Sequence, residues 1–182
     1  SLTFVGNTLC IRLLLFLHSV PSRSTAMNLY LLRHAEAEDE AASDGKRQLT
    51  ERGRQQARIV GRFCARHDVY PDRILTSPLA RAQQTAKIFA DELKIADRVQ
   101  VCSFATAGMT MEAALEGLKP FAGHSSVLLV GHEPDFSEFV AGLVGSEDEC
   151  IRFRKASLAK VTLPKLKPGV GRLEFLLPVK FL

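Results

Sequence analysis

The run Asn28-Leu-Tyr-Leu-Leu-Arg-His-Ala-Glu-Ala-Glu38 constrains the fold more than any other stretch. Leu29 to Leu32 is continuously apolar, as a short buried strand is. It stops abruptly at Arg33-His34, and acidic, small and turn-prone residues follow through Gly45. A cation and an imidazole therefore stand at the carboxyl end of a strand, where open α/β sheets bind their ligands.

The chain repeats this alternation. An acidic loop spans Glu36–Arg47. A helix then opens at Leu49-Thr50-Glu51, with Thr50 able to cap it and Glu51 favouring its first turn. Ala57, Val60, Gly61, Cys64 and Ala65 recur at helical spacing. Arg73–Thr76 reads as a second strand. Ser77-Pro78 reads as a cap and first turn for a helix to about Lys94 that buries Ala82, Ala86, Phe89 and Leu93. Val99–Phe104 is expected to be a third strand, Met111–Leu118 a short helix, and Ser126–Gly131 a strong strand. A helix over Phe136–Val144 follows Glu133-Pro134-Asp135. Ala159–Leu163 and Arg172–Leu177 flank the turn Lys167-Pro-Gly-Val-Gly171 and predict a hairpin at the sheet edge. Strands alternating with helices at this spacing predict a three-layer α/β/α sandwich with a mostly parallel sheet.

With 182 residues, the chain is long enough for one domain with a substantial core. No run of about 20 apolar residues is present, so no spanning helix and no membrane partner is expected. Residues 1–26 differ from the rest. They begin at Ser1 and carry a signal-like apolar run, Leu9 to Val20, interrupted by Arg12 and lacking a basic segment before it. Met27 immediately precedes the first good strand. Residues 1–26 are therefore expected to be an extension without a part in the chemistry, and 27–182 a single domain. Cys10, Cys64, Cys102 and Cys150 are far apart and show no metal-ligand spacing. They read as free thiols in a reducing, cytoplasmic setting.

Charge is unevenly distributed. Residues 27–149 carry 14 basic and 19 acidic residues, a net −5, whereas 150–182 carry 8 basic residues and Glu174 alone, a net +7. A solvated basic face on a terminal hairpin accounts for the tail, and nucleic acid is not expected as a partner.

Strand ends carry polar groups at Arg33-His34, at Ser77 to Arg81 and at His132. In parallel strands these ends point the same way, so the groups can converge. Arginine forks match the oxygens of a phosphate dianion. Four motifs occur in order: Leu32-Arg-His-Ala35; Leu49-Thr-x-x-Gly-x-x-Gln-Ala57; Thr76-Ser-Pro-Leu-x-Arg-Ala-x-x-Thr-Ala86; and Val130-Gly-His-Glu-Pro134. This ordered set resembles the histidine phosphatase superfamily, which includes the phosphoglycerate mutases. The short length, the His-Glu-Pro variant and the Leu-Pro…Gly-Arg…Pro tail are most similar to the small SixA-type phosphohistidine phosphatases. Ala35 departs from the glycine common in the family, and its methyl is tolerated if the backbone angle there is negative.

The resemblance implies a phosphoglycerate mutase-like fold and a division of roles. His34 matches the phosphorylated histidine, Arg33 and Arg81 the arginines on the phosphoryl group, and His132 the second histidine that contacts it in flight. Arg47 matches a substrate-binding arginine of small members. Glu112 and Glu133 are both candidates for the leaving-group acid. No metal or cofactor is implied, because arginines supply the positive charge. A neutral His34 imidazole is needed for attack, and Arg33, Arg81 and a protonated or hydrogen-donating His132 face the charge of the transition state.

The expected substrate is phosphohistidine on a protein partner, such as a histidine phosphotransfer domain or a phosphocarrier. Two alternatives are a phosphatase of small metabolites or sugar phosphates and a non-catalytic phosphoprotein-binding module.

Overall fold

The computed structural model describes residues 26–146 and 150–182. The expectation of an N-terminal extension and the readings of Cys10 and the signal-like run concern residues outside that range. Cys64, Cys102 and Cys150 are free.

One mixed sheet of six strands organises the chain, in the order β3-β2-β4-β1-β5-β6. These are β1 (Met27–Arg33), β2 (Arg73–Thr76), β3 (Val99–Val101), β4 (Ser126–Gly131), β5 (Leu158–Leu163) and β6 (Arg172–Leu177). The first four run parallel, β5 is antiparallel to β1, and β6 is antiparallel to β5. Alternate side chains of β1 separate two cores. Leu29 and Leu31 pack with Val127 and Leu129 beneath α3 (Met111–Leu118) and α4 (Asp135–Val144). Tyr30 and Leu32 pack with Leu128 and Val130 beneath α1 (Glu51–Arg66) and α2 (Ala80–Leu93). The result is the three-layer sandwich expected, with each central strand apolar on both faces because both are covered.

The order of strands creates a crevice. From the end of β1 the chain turns toward α1 on one face. From the end of the neighbouring β4 it turns toward α4 on the other. Loops that diverge from adjacent parallel strands leave a gap at their carboxyl ends. His34 begins one loop and His132 the other. The ladder continues past the strands, with His34 N–H donating to Gly131 O at 2.9 Å and Ser77 N–H to Val130 O at 3.0 Å.

β1, α4 and β5 run one or two residues beyond the expected ends, and two other boundaries differ more. β3 ends at Val101, and Ser103–Ala105 forms a short 3-10 turn. Phe104 packs beside the α3–α4 core instead of extending the sheet. Ser77 does not cap α2, which starts at Ala80 with Leu79 as its N-cap. The Ser77 hydroxyl accepts from Leu79 N–H at 3.2 Å just before the helix and also meets His132 in the crevice.

Candidate active site

His34 is almost fully buried. Its Nδ1 lies 2.8 Å from the carbonyl oxygen of Ala35. A carbonyl only accepts, so Nδ1 carries the proton and Nε2 keeps its lone pair. Burial pushes the His34 pKa down to about 3, the Ala35 bond opposes this, and His132, Arg81 and Arg33 push it further down. The imidazole is therefore neutral near pH 7, as attack requires. Ala35 is absent from the residues with positive φ, so its methyl is accommodated and packs in the core.

His132 stands across from it, the two rings 5.2 Å apart between centroids and tilted by 53°. Its Nε2 is 2.7 Å from Ser77 Oγ, and its Nδ1 is buried without a hydrogen-bond partner. Burial, then Arg81, pushes its pKa down to about 4 while Asp135 pulls the other way. His132 is therefore neutral near pH 7 and able to donate a hydrogen bond.

Arg81, from the first turn of α2, is buried. It donates to Asp44 twice, to the backbone oxygen at 2.8 Å and to Oδ2 at 3.0 Å. Arg47 donates to Oδ1 of the same carboxylate at 3.1 Å and to Glu38 O at 2.6 Å. Asp44 thus ties two guanidiniums from different segments. Hydrogen bonds from Arg81 and then Arg47 hold its pKa below the usual carboxylate range. Arg33, at the end of β1, donates to Phe153 O at 2.8 Å, and its Nε is buried without a partner. Burial lowers the Arg33 pKa and nearby Glu133 offsets part of that.

The two carboxylates put forward as acids stand in different places. Glu133 follows His132 directly. Its Oε1 accepts from Phe153 N–H at 3.1 Å and from the Ser137 hydroxyl, and its Oε2 is buried without a partner. Glu112 is exposed in the first turn of α3 and has no hydrogen bond or ion pair among the described residues.

The motifs also hold groups that brace the site, and Thr50 caps α1 as expected. Thr85 Oγ1 accepts from Ala35 N–H at 3.1 Å and donates to Arg81 O at 2.7 Å, so one hydroxyl links the His34 loop to the arginine helix. Gln56 Oε1 accepts from Glu36 N–H at 2.9 Å. Thr50 Oγ1 caps α1 through Gly53 N–H at 3.0 Å and reaches the Glu36 carboxylate at 3.1 Å. Thr85, Gln56 and Ser77 all occur in the ordered motifs. Asp44 had no such marker, because it sits among several acids in one loop. Phe153 contributes its backbone, which no side-chain pattern reveals.

The chain is similar in sequence and fold to known proteins. The model of the histidine phosphatase superfamily (branch 1) matches residues 29–103. Phosphohistidine phosphatase SixA of Escherichia coli (strain K12) is 32% identical over 147 residues, 79% of this chain and 89% of that protein. The SixA homolog of Haemophilus influenzae is 33% identical over 144 residues, 74% of this chain and 87% of that protein. A solved structure of the protein histidine phosphatase SixA complexed with tungstate matches with a TM-score of 0.78 and 28% identity, covering 85% of this chain and 99% of that one.

Proposed function

Because the chain belongs to the histidine phosphatase superfamily, we propose that it hydrolyses phosphohistidine on a protein partner through a phosphoryl group carried on His34. The observation that carries this reading is the fixed tautomer of His34, with its free Nε2 in a crevice shared by Arg81, Arg33 and His132.

Nε2 of His34 attacks phosphorus as the bond from phosphorus to the substrate's imidazole nitrogen breaks. If the far nitrogen of that imidazole is protonated, it departs neutral and needs no acid from the enzyme. This suits a site whose acid candidates are an engaged Glu133 and an exposed Glu112. His34 now bears phosphorus on Nε2 and a proton on Nδ1, held by Ala35 O. Water then attacks phosphorus as the bond to Nε2 breaks, one of its protons passes to a phosphoryl oxygen so that dihydrogen phosphate forms, and His34 departs neutral in its original tautomer. One backbone hydrogen bond thus serves both halves of the cycle.

Arg81, Arg33 and Arg47 supply fixed positive charge for the equatorial oxygens. His132 donates a hydrogen bond to them. The dianion favours its protonated form and raises its pKa. The tungstate in the related structure is a tetrahedral oxyanion of the same general shape.

The test is a single-turnover reaction with a histidine phosphotransfer domain phosphorylated on histidine. Quenching in base preserves phosphoramidates, and mass spectrometry then locates the label. Phosphate is expected on His34, and His34→Ala is expected to lower kcat by at least about 10³-fold. Undiminished turnover by His34→Ala would sink the mechanism.

A further inference from the structure

A cavity of about 380 Å³ opens beside Arg33, and its lining is cationic. Arg33, Arg52, Arg152, Arg154, Lys155 and Lys180 all contribute to the wall. Glu36 is the single acidic residue in that lining, and it is paired with Arg52 at 3.7 Å. Arg152, Arg154, Lys155 and Lys180 have no carboxylate partner within ion-pair distance among the described residues. Four separate segments bring these charges together: the end of β1, the start of α1, the connection before β5, and the chain after β6. Arg33 bridges the two regions, since its charge acts on His34 and His132 while its side chain is tied to Phe153 in the cavity wall.

We propose that this cationic wall docks the acidic surface around the phosphohistidine of a protein substrate, and so selects proteins over small phosphates. The inference rests on the phosphohistidine reading above and adds the recognition chemistry. A subsite for a small second anion needs buried donors converging on one point. Here Arg52, Arg152, Arg154 and Lys180 are exposed and their charges are spread over a wide opening. Unpaired cations on a rim act through their field, steering and orienting a large partner of opposite charge. A nucleic acid is disfavoured because its charge continues beyond the patch, where residues 27–149 carry a net −5. An acidic protein face of limited extent meets no such repulsion.

The test compares wild type with the R154Q/K155Q/K180Q variant, which leaves Arg33 and the crevice untouched. The probe is a histidine phosphotransfer domain with acidic residues around its phosphohistidine, assayed at about 50 and about 300 mM salt. Phosphoramidate, a small substrate, monitors the crevice itself. For the domain at low salt, the variant's KM is expected to rise about tenfold with kcat within about twofold. Wild-type KM should climb with salt, and the variant's should climb less. Phosphoramidate turnover should be the same in both. An unchanged KM in the variant at low salt overturns the proposal. So does an oligonucleotide that binds wild type more tightly than the domain and loses that binding in the variant. If wild type turns over a phosphomonoester but releases no phosphate from the domain, the phosphohistidine reading fails first and the docking surface falls with it.

Discussion

Asp44 puts a carboxylate where the site calls for cations, and its geometry decides between two opposite effects. The anion reduces the attraction that Arg81 and Arg47 exert on an incoming phosphate. It also fixes both guanidiniums, one buried on a helix and the other on a loop, by bonds of 3.0 and 3.1 Å. Transition-state stabilisation depends on donors already aimed at the developing charge, so the positioning effect should dominate kcat and the repulsion should govern KM. Asp44→Asn keeps the shape and one acceptor but removes the charge. The expected outcome is a fall in kcat of about tenfold, with KM unchanged or lower. The carboxylate is largely exposed, so stability should change by less than about 1 kcal/mol. Steady-state kinetics beside urea titrations would check this. A raised KM with intact kcat would make Asp44 a substrate contact instead of a brace.

The second motif holds the loop that leaves β1. Thr50 caps α1, Gln56 binds the backbone of Glu36, and Gly53 lets the first turn of the helix lie against that backbone. A Cβ at Gly53 would meet Glu36 O at 1.9 Å, and backbone cannot yield as a side-chain tip does. Gly53→Ala should therefore push α1 off the loop, costing about 2–3 kcal/mol and lowering turnover by displacing the residues beside His34. Gly45→Ala is the control, because its Cβ would meet only Leu79 Cδ2 at an ordinary 3.6 Å. It should stay within about 0.5 kcal/mol of wild type. Equal urea midpoints for the two variants would refute the close-approach argument.

This division explains how much was readable beforehand. Leu29–Leu32 and Ser126–Gly131 carry continuous apolar runs, so their strands and the polar groups that end them were plain. The charged members of each motif were plain too, because phosphate chemistry calls for them. Gly53, Gln56 and Thr85 act through backbone contacts between segments, which spacing alone does not disclose. Ser-Pro is an ordinary start to a helix and gives no sign of a second role for Ser77; only the adjacency of β2 and β4 brings its hydroxyl to His132. β3 was overextended because Cys102 and Phe104 are apolar, yet their burial serves the α3–α4 side.

The charge imbalance between the ends and the body was visible in the sequence, but its destination was not. The tail reads as a solvated hairpin until β5 pairs antiparallel with β1, which returns residues 152–155 to the end of β1 beside Arg33. The cationic surroundings then bear on stability as well as chemistry. His34 and His132 are held neutral, with pKa values near about 3 and about 4, by burial first and by neighbouring cations. In the unfolded chain each titrates near about 6.5. Below that pH the unfolded chain takes up protons that the folded protein refuses, so their contribution to stability is complete above about 6.5 and lost as pH falls toward the folded values. Between about pH 7 and about pH 5 the loss is about 2 kcal/mol per histidine. Urea unfolding of wild type should show this decline, and the His34→Asn/His132→Asn variant should show a shallower one, whatever its stability at neutral pH. Carboxylates and the remaining histidines are common to both proteins and cancel in the comparison. Parallel declines would mean that the two imidazoles are not desolvated as the packed crevice requires, and the free Nε2 of His34 would lose its physical basis.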